Sequence, residues 1–237
     1  MAFESTISED NIQNYDALAD GRDVRTARQS ITPSGYFGEG PEMIGEIEDF
    51  LTEEECDFLE DFARNNKIWD VTESHFNENG TIIYDHRPWE NRVATLNTLM
   101  KASPVAVDML RNIIARLKPE IEKFFNIGEA EPTNPAIVRW PVGTFQFPHA
   151  DKELHEGPDA GTENDFPWYD LGTIFYLNDD FEGGEIYYPK ANLEIKPIAR
   201  SLVVHPSGMI YRHGVKAVSN GERFSLAGFA RLNHSNS

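Results

Sequence analysis

Cysteine is nearly absent. Cys56 is the only one in 237 residues, so no intrachain disulfide can form, and a reducing compartment is the expectation. Long apolar runs are absent as well: no stretch approaches the ~20 residues that a membrane-spanning helix needs. The first residues, Met1-Ala-Phe-Glu-Ser-Thr, show neither the basic nor the apolar segment of a secretory leader, and the expected location is cytoplasmic. Basic residues are scarce beside acidic ones, 21 Lys and Arg against 40 Asp and Glu, for a formal charge of −19. Such a surface repels phosphate backbones and disfavours broad nucleic-acid binding. Its plain consequence is solubility, with recruitment of basic substrates as a weaker one. There is no internal repeat. The remaining composition, 40% hydrophobic and 26% charged, is that of a globular chain with material for a sizeable core.

Residues 1–40 are polar and lack periodicity, and read as an arm preceding a single domain over 41–237. Thr52-Glu-Glu-Glu55 has the form of a capping box ahead of a helix running to about Asn65, with Phe58, Leu59, Phe62 and Ala63 on one face. A second helix is predicted from Ser103 with Pro104 at its first position. Its apolar stripe is Leu110, Ile113, Ile114, Leu117, Ile121 and Phe124, and Pro119 is expected to bend or divide it. Between the helices, the segment 75–91 is long, polar and aromatic. A lid and a plain surface hairpin are both open for it. From residue 136 the chain becomes a series of short strands. Helices followed by many antiparallel strands predict an α+β fold, with a double-stranded β-helix of the jelly-roll or cupin kind closing the strand edges.

The chemistry-bearing residues lie in that second half. His149 and Asp151 are two apart, so a strand carrying both presents an imidazole and a carboxylate on one face. With His213 as the best candidate for a third ligand, they make a two-histidine, one-carboxylate set that leaves three positions of an iron open. His205 is the weaker histidine because its spacing to Arg223 does not match, and His155, in the polar loop 152–168, is expected to be solvated. Ser219-Asn-Gly221 lies between two β-like runs and predicts a hairpin that returns Arg223 beside the strand after His213. A guanidinium there suits the far carboxylate of a dicarboxylic co-substrate.

His149-x-Asp151, Glu182-Gly-Gly-Glu185 before Tyr187-Tyr-Pro189, and His213 with a basic residue ten positions later together resemble a known family. It is the prolyl 4-hydroxylase branch of the iron(II)/2-oxoglutarate-dependent dioxygenases. The resemblance runs from about Met43 to Leu232 and includes Glu48-Asp-Phe-Leu-Thr-Glu-Glu-Glu-Cys56. It implies Fe(II) at His149, Asp151 and His213, and 2-oxoglutarate on Arg223. Tyr176 matches a strand tyrosine that bonds the same carboxylate, and Trp140 falls where relatives carry a co-substrate-binding tyrosine. Ser225, on the face of Arg223, adds a hydroxyl, and Phe229 matches an aromatic near the site, read as core with one edge towards the cavity. The implied reaction consumes O2, converts 2-oxoglutarate to succinate and hydroxylates a prolyl residue in a peptide or protein, with ascorbate as reductant. Asp151 favours hydroxylation, since related halogenases keep that coordination position for chloride. A hydroxylase of a free amino acid or other small molecule, and a non-catalytic jelly-roll binding module, remain the alternatives.

Overall fold

The structure, a computed structural model, describes residues 32, 35–70, 75–76, 82–84, 89–153, 161 and 170–232. The predicted arm lies outside these residues apart from Thr32 and 35–40, as do His155, most of the loop 152–168 and most of 75–91. Of that last segment, His75–Phe76 (β2) pairs with Ile82–Tyr84 (β3).

Helix α1 spans Glu53–Asn65. The Thr52 hydroxyl accepts the Glu55 N–H at 3.1 Å, and the Glu55 carboxylate accepts the Thr52 N–H at 2.9 Å, as the capping box predicts. A short helix without a side-chain cap, α2, covers Leu96–Ala102. Helix α3 spans Pro104–Phe125, and the Ser103 hydroxyl accepts the Ala106 N–H at its start. Pro119 sits inside α3 without dividing it. Leu110, Ile113, Leu117 and Ile121 are buried as the periodicity predicts. At the C-terminal end the expectation fails: Phe124 is exposed and Phe125 is buried. Phe125 continues the four-residue ladder from Leu117 through Ile121 and meets Phe37 edge-on at 5.4 Å. Glu55 also receives both terminal nitrogens of Arg116, at 2.9 and 2.7 Å, and so ties α1 to α3. None of the described helices is long and apolar enough to cross a membrane.

The main sheet has seven antiparallel strands. In spatial order they are β1 (Gly45–Ile47), β12 (Leu202–Pro206), β8 (Leu171–Tyr176), β15 (Arg223–Leu232), β6 (Ala136–Trp140) and β4 (Val93–Ala94), with β5 (Ala130–Pro132) also on β15. A four-stranded sheet runs β11 (Leu193–Ile195), β10 (Ile186–Tyr188), β13 (His213–Val215), β7 (Gln146–His149). Alternation along the strands sorts the core into layers. Phe175, Leu202, Val204, Phe224 and Leu226 join the helices in one apolar cluster. Tyr176 and Val203, from the other face, pack with Ile186, Tyr188 and Ile195 of the smaller sheet. Val138 and Trp140 meet Val215 and Val218 in the same interlayer space. The α+β class holds, but among the described residues the hydrogen-bonded ladders do not close into a barrel.

The predicted terminal hairpin does not form. Val218–Asn220 (β14) pairs with Glu182–Gly183 (β9), not with β15. Both edges of β15 are already taken, by β8 on one side and by β6 and β5 on the other. The turn at Gly221 (φ +74°) therefore carries the chain from one layer to the other.

Candidate metal centre and adjoining pocket

His149 ends β7 and His213 opens β13, directly opposite it in the antiparallel register. Asp151 follows two residues beyond His149, in the turn after the strand. One ligand atom from each of the three lies within 4.8 Å of the others, and Asp151 Oδ1 is 3.9 Å from His213 Nε2. The imidazoles share an orientation. His149 Nδ1 lies 3.0 Å from the Phe147 carbonyl, and His213 Nδ1 lies 3.2 Å from the Tyr211 carbonyl. Donation from Nδ1 fixes the tautomer that leaves the Nε2 lone pair for a metal. The Gln146 side-chain amide nitrogen lies 3.1 Å from His149 Nε2, consistent with that tautomer. Burial, and then His205, pull the pKa of His213 down to about 4, so its ring is neutral at physiological pH.

A polar clamp sets the two ligand segments against each other. Glu153 accepts the Ala150 N–H at 2.9 Å and pairs with Arg212 at 2.5 Å. Arg212 also donates to the Pro148 carbonyl at 2.7 Å. The residues flanking His149 are thereby tied to the residue before His213.

His205, set aside on spacing, lies beside this centre. It is buried on β12, its ring centroid is 4.3 Å from that of His213, and its Nδ1 is 3.9 Å from Asp151 Oδ2. Burial lowers its pKa to about 4. It stands opposite Gly172 on β8. A Cβ at 172 would fall 2.5 Å from His205 Cε1 and 2.7 Å from Asp151 Oδ2, so only glycine lets both side chains occupy this space. A histidine within Val-Val-His-Pro, and a glycine within a β-branched strand, were the signals for this pair.

The second cluster surrounds Arg223. This guanidinium is 1% exposed, and its Nη1 donates to the Gly184 carbonyl at 2.8 Å. Gly184 holds φ +70°, a conformation that glycine adopts freely. Trp140 stands directly across the β15–β6 ladder from Arg223, and Ser225 lies opposite Tyr176 across β15–β8. The Arg223 Cζ is 4.9 Å from the ring centres of both Trp140 and Tyr176. Among the described residues, Arg223 Nε, Trp140 Nε1 and the Tyr176 hydroxyl are buried without hydrogen-bond partners. Leaving such groups unbonded costs about 1–3 kcal/mol each, a cost that a bound carboxylate offsets. An indole donates only, which is what a carboxylate requires.

Arg92, which no sequence pattern indicated, adds a second cation, its Cζ 4.4 Å from the Trp140 ring centre. Burial, then Arg223 and Arg139, lower its pKa to about 10. Two guanidiniums thus flank the Trp140 ring, although the chain as a whole is strongly acidic. Phe229 is half-buried and pairs with Gly172 across β15–β8.

Comparison with known proteins agrees with this geometry. Residues 136–231 match the 2OG-Fe(II) oxygenase superfamily. Human prolyl 3-hydroxylase 3 is 36% identical over 88 residues, which are 33% of this chain and 12% of that protein. Prolyl 3-hydroxylase 1 of Gallus gallus is 37% identical over 67 residues, 26% of this chain and 9% of that protein. The chain thus spans only a small part of the length of these relatives. A prolyl-4-hydroxylase of Pseudomonas putida superposes with a TM-score of 0.53 at 19% identity, covering 81% of this chain and 93% of that one. The viral collagen prolyl hydroxylase of Paramecium Bursaria Chlorella virus-1 gives 0.51 at 16% identity, covering 81% and 97%. At these identities the structural likeness shows a shared fold.

Proposed function

We propose that this chain, whose residues 136–231 match the 2OG-Fe(II) oxygenase superfamily, hydroxylates a prolyl residue of a peptide or protein while 2-oxoglutarate is decarboxylated to succinate. The observation that carries this reading is the convergence of His149, Asp151 and His213 beside the buried, carboxylate-seeking Arg223. The donor set fits Fe(II): two imidazoles and one carboxylate, with open positions remaining. Fe(II) bound there would supply the activation of O2 that an oxygenase requires.

The protein's own residues perform the remaining tasks. His149, Asp151 and His213 hold the metal. Arg223, Trp140, Tyr176 and Ser225 receive the far carboxylate of 2-oxoglutarate, and Arg92 strengthens the potential that attracts it. The interlayer packing around Val138, Tyr176, Ile186 and Val215 keeps bulk water from the pocket. Ascorbate serves as the external reductant. We read the two facing sheets as a jelly-roll core of one domain over 41–237, with 1–40 as an accessory arm.

A peptide substrate is favoured by the strand that leads to the metal. Phe147 and His149 share one face of β7, and Phe145, just before the strand, lies edge-to-face with Phe147 at 5.0 Å, both phenylalanines being exposed. Flat aromatic surfaces of this kind suit proline rings. The acidic surface suits basic flanking residues.

The test is succinate formation with Fe(II), ascorbate and O2, with and without a panel of proline-containing peptides, using His149→Ala as control. The expected result is peptide-stimulated succinate and a peptide gaining one oxygen, both abolished in the variant. Chromatography of hydroxyproline isomers then identifies the carbon. Succinate that no peptide stimulates would redirect the reading to a small-molecule substrate. No turnover despite bound iron would favour a binding module.

A further inference from the structure

The groups assigned above leave the Tyr188 hydroxyl, a buried donor, without a task. Tyr188, at the end of β10, is 1% exposed, and its hydroxyl has no hydrogen-bond partner among the described residues. Packing does not require that hydroxyl, since phenylalanine would fill the same ring volume. The ring itself is fixed. Its centroid lies 5.6 Å from both the His205 and the His213 rings, and it packs with Tyr176, Ile186, Ile195 and Val203. Those contacts give Tyr188 a definite place. Tyr176 belongs to the Arg223 pocket, whereas His213 is a metal ligand and His205 borders Asp151. Tyr188 is thus the buried donor on the metal side of the pocket, as Trp140, Tyr176 and Arg223 are the donors on its far side.

We propose that Tyr188 is a co-substrate-binding residue whose hydroxyl donates a hydrogen bond to the 2-oxoacid end of 2-oxoglutarate, the end nearest the metal. This rests on the reading that the site takes 2-oxoglutarate. Arg223 and its neighbours address one carboxylate of a dicarboxylic acid, and Tyr188 addresses the other. A buried donor pre-positioned in a low-dielectric cavity contributes more than the same group in water, because it needs no reorganisation when the ligand arrives.

The two ends can be separated with two ligands. 2-Oxoglutarate has both, while 2-oxobutyrate keeps the 2-oxoacid end and lacks the far carboxylate. Binding of each to the Mn(II)-loaded full chain is measured by calorimetry without oxygen, for the wild type, Tyr188→Phe and Arg223→Met. Tyr188→Phe is expected to weaken both ligands by the same factor, about tenfold. Arg223→Met is expected to weaken 2-oxoglutarate alone. A loss confined to 2-oxoglutarate in Tyr188→Phe would put its hydroxyl in the far pocket and overturn the proposal, and so would unchanged affinity for both ligands. Thermal unfolding controls for folding: without ligand, Tyr188→Phe should melt no lower than the wild type, because it removes an unbonded buried hydroxyl. If the wild type binds Mn(II) but neither oxoacid, it is the 2-oxoglutarate reading that fails.

Discussion

The two faces of the main sheet treat buried polar groups in opposite ways. On the helical face, Glu55 receives Arg116 through two bonds and the Thr52 N–H through a third, so the buried carboxylate is satisfied. On the opposite side, in the space between the two sheets, Arg223, Trp140 and Tyr176 of the main sheet and Tyr188 of the smaller one hold buried polar atoms without partners among the described residues. The first arrangement stabilises a fold, because each group taken from water regains its bonds. The second lowers stability, and under the function proposed above the missing partner is a ligand.

Paired substitutions test this contrast most strongly. Arg223→Met should reduce 2-oxoglutarate affinity by about one to two orders of magnitude, the range for bonds to a charged group. It should leave thermal stability unchanged or higher, because an uncompensated buried cation is removed. Glu55→Gln should do the reverse, costing about 1–3 kcal/mol of unfolding free energy with co-substrate affinity intact. Calorimetry and denaturant unfolding of both variants suffice. If both variants lose stability and neither loses affinity, the contrast is broken.

Gly172→Ala probes the crowded side of the metal centre. Displacing His205 or Asp151 should weaken Mn(II) or Co(II) binding about tenfold or more, the scale of disrupted support around a metal ligand. Wild-type affinity in a metal titration would show that the site tolerates a Cβ there.

A pH series on the metal-free protein gives a smaller effect. His205 and His213 have folded pKa values near 4, below the unfolded value of 6.5. Between those limits the unfolded chain binds more protons, so stability falls as pH falls from 6.5 towards 4. The slope is on the order of 1 kcal/mol per histidine per pH unit. His205→Phe should flatten it, read from denaturant midpoints at each pH. Glu55 adds to acid lability at lower pH. Burial opposes its ionisation, but the Arg116 and Thr52 interactions win and lower its pKa, so its contribution is lost as pH falls below the unfolded value of 4.5.

The smallest effect is expected at Phe147. It is 74% exposed, so Phe147→Ala should leave stability within about 0.5 kcal/mol. The KM for a proline peptide should rise several-fold with 2-oxoglutarate affinity unchanged. An unaltered peptide KM would separate this aromatic pair from substrate binding.

Local signals in the sequence carried much of this. The capping box at Thr52, the start of α3 at Ser103-Pro104 and the apolar ladder through Ile121 depend on neighbours within a few residues, and each reappears in the structure. The His149-x-Asp151 spacing likewise pointed to two neighbouring ligand candidates, although Asp151 lies in the turn beyond β7 and not on the strand that the spacing predicted for both. The Ser219-Asn-Gly221 turn showed where the chain reverses but not which strand its arms pair with, and the hairpin expectation failed there.

Short-range facts were legible along the chain: where the two long helices begin, which of their faces are apolar, and which residue types are able to bind iron and a carboxylate. Which of these residues meet was a matter for the folded molecule. It placed His213 opposite His149, set His205 beside Asp151 over Gly172, brought Arg92 to Trp140, and laid Tyr188 against both His205 and His213. The physical reason is that these neighbours come from strands far apart in the chain. Whether a buried hydroxyl or guanidinium is satisfied depends on every group around it, and residue spacing along one chain does not carry that information.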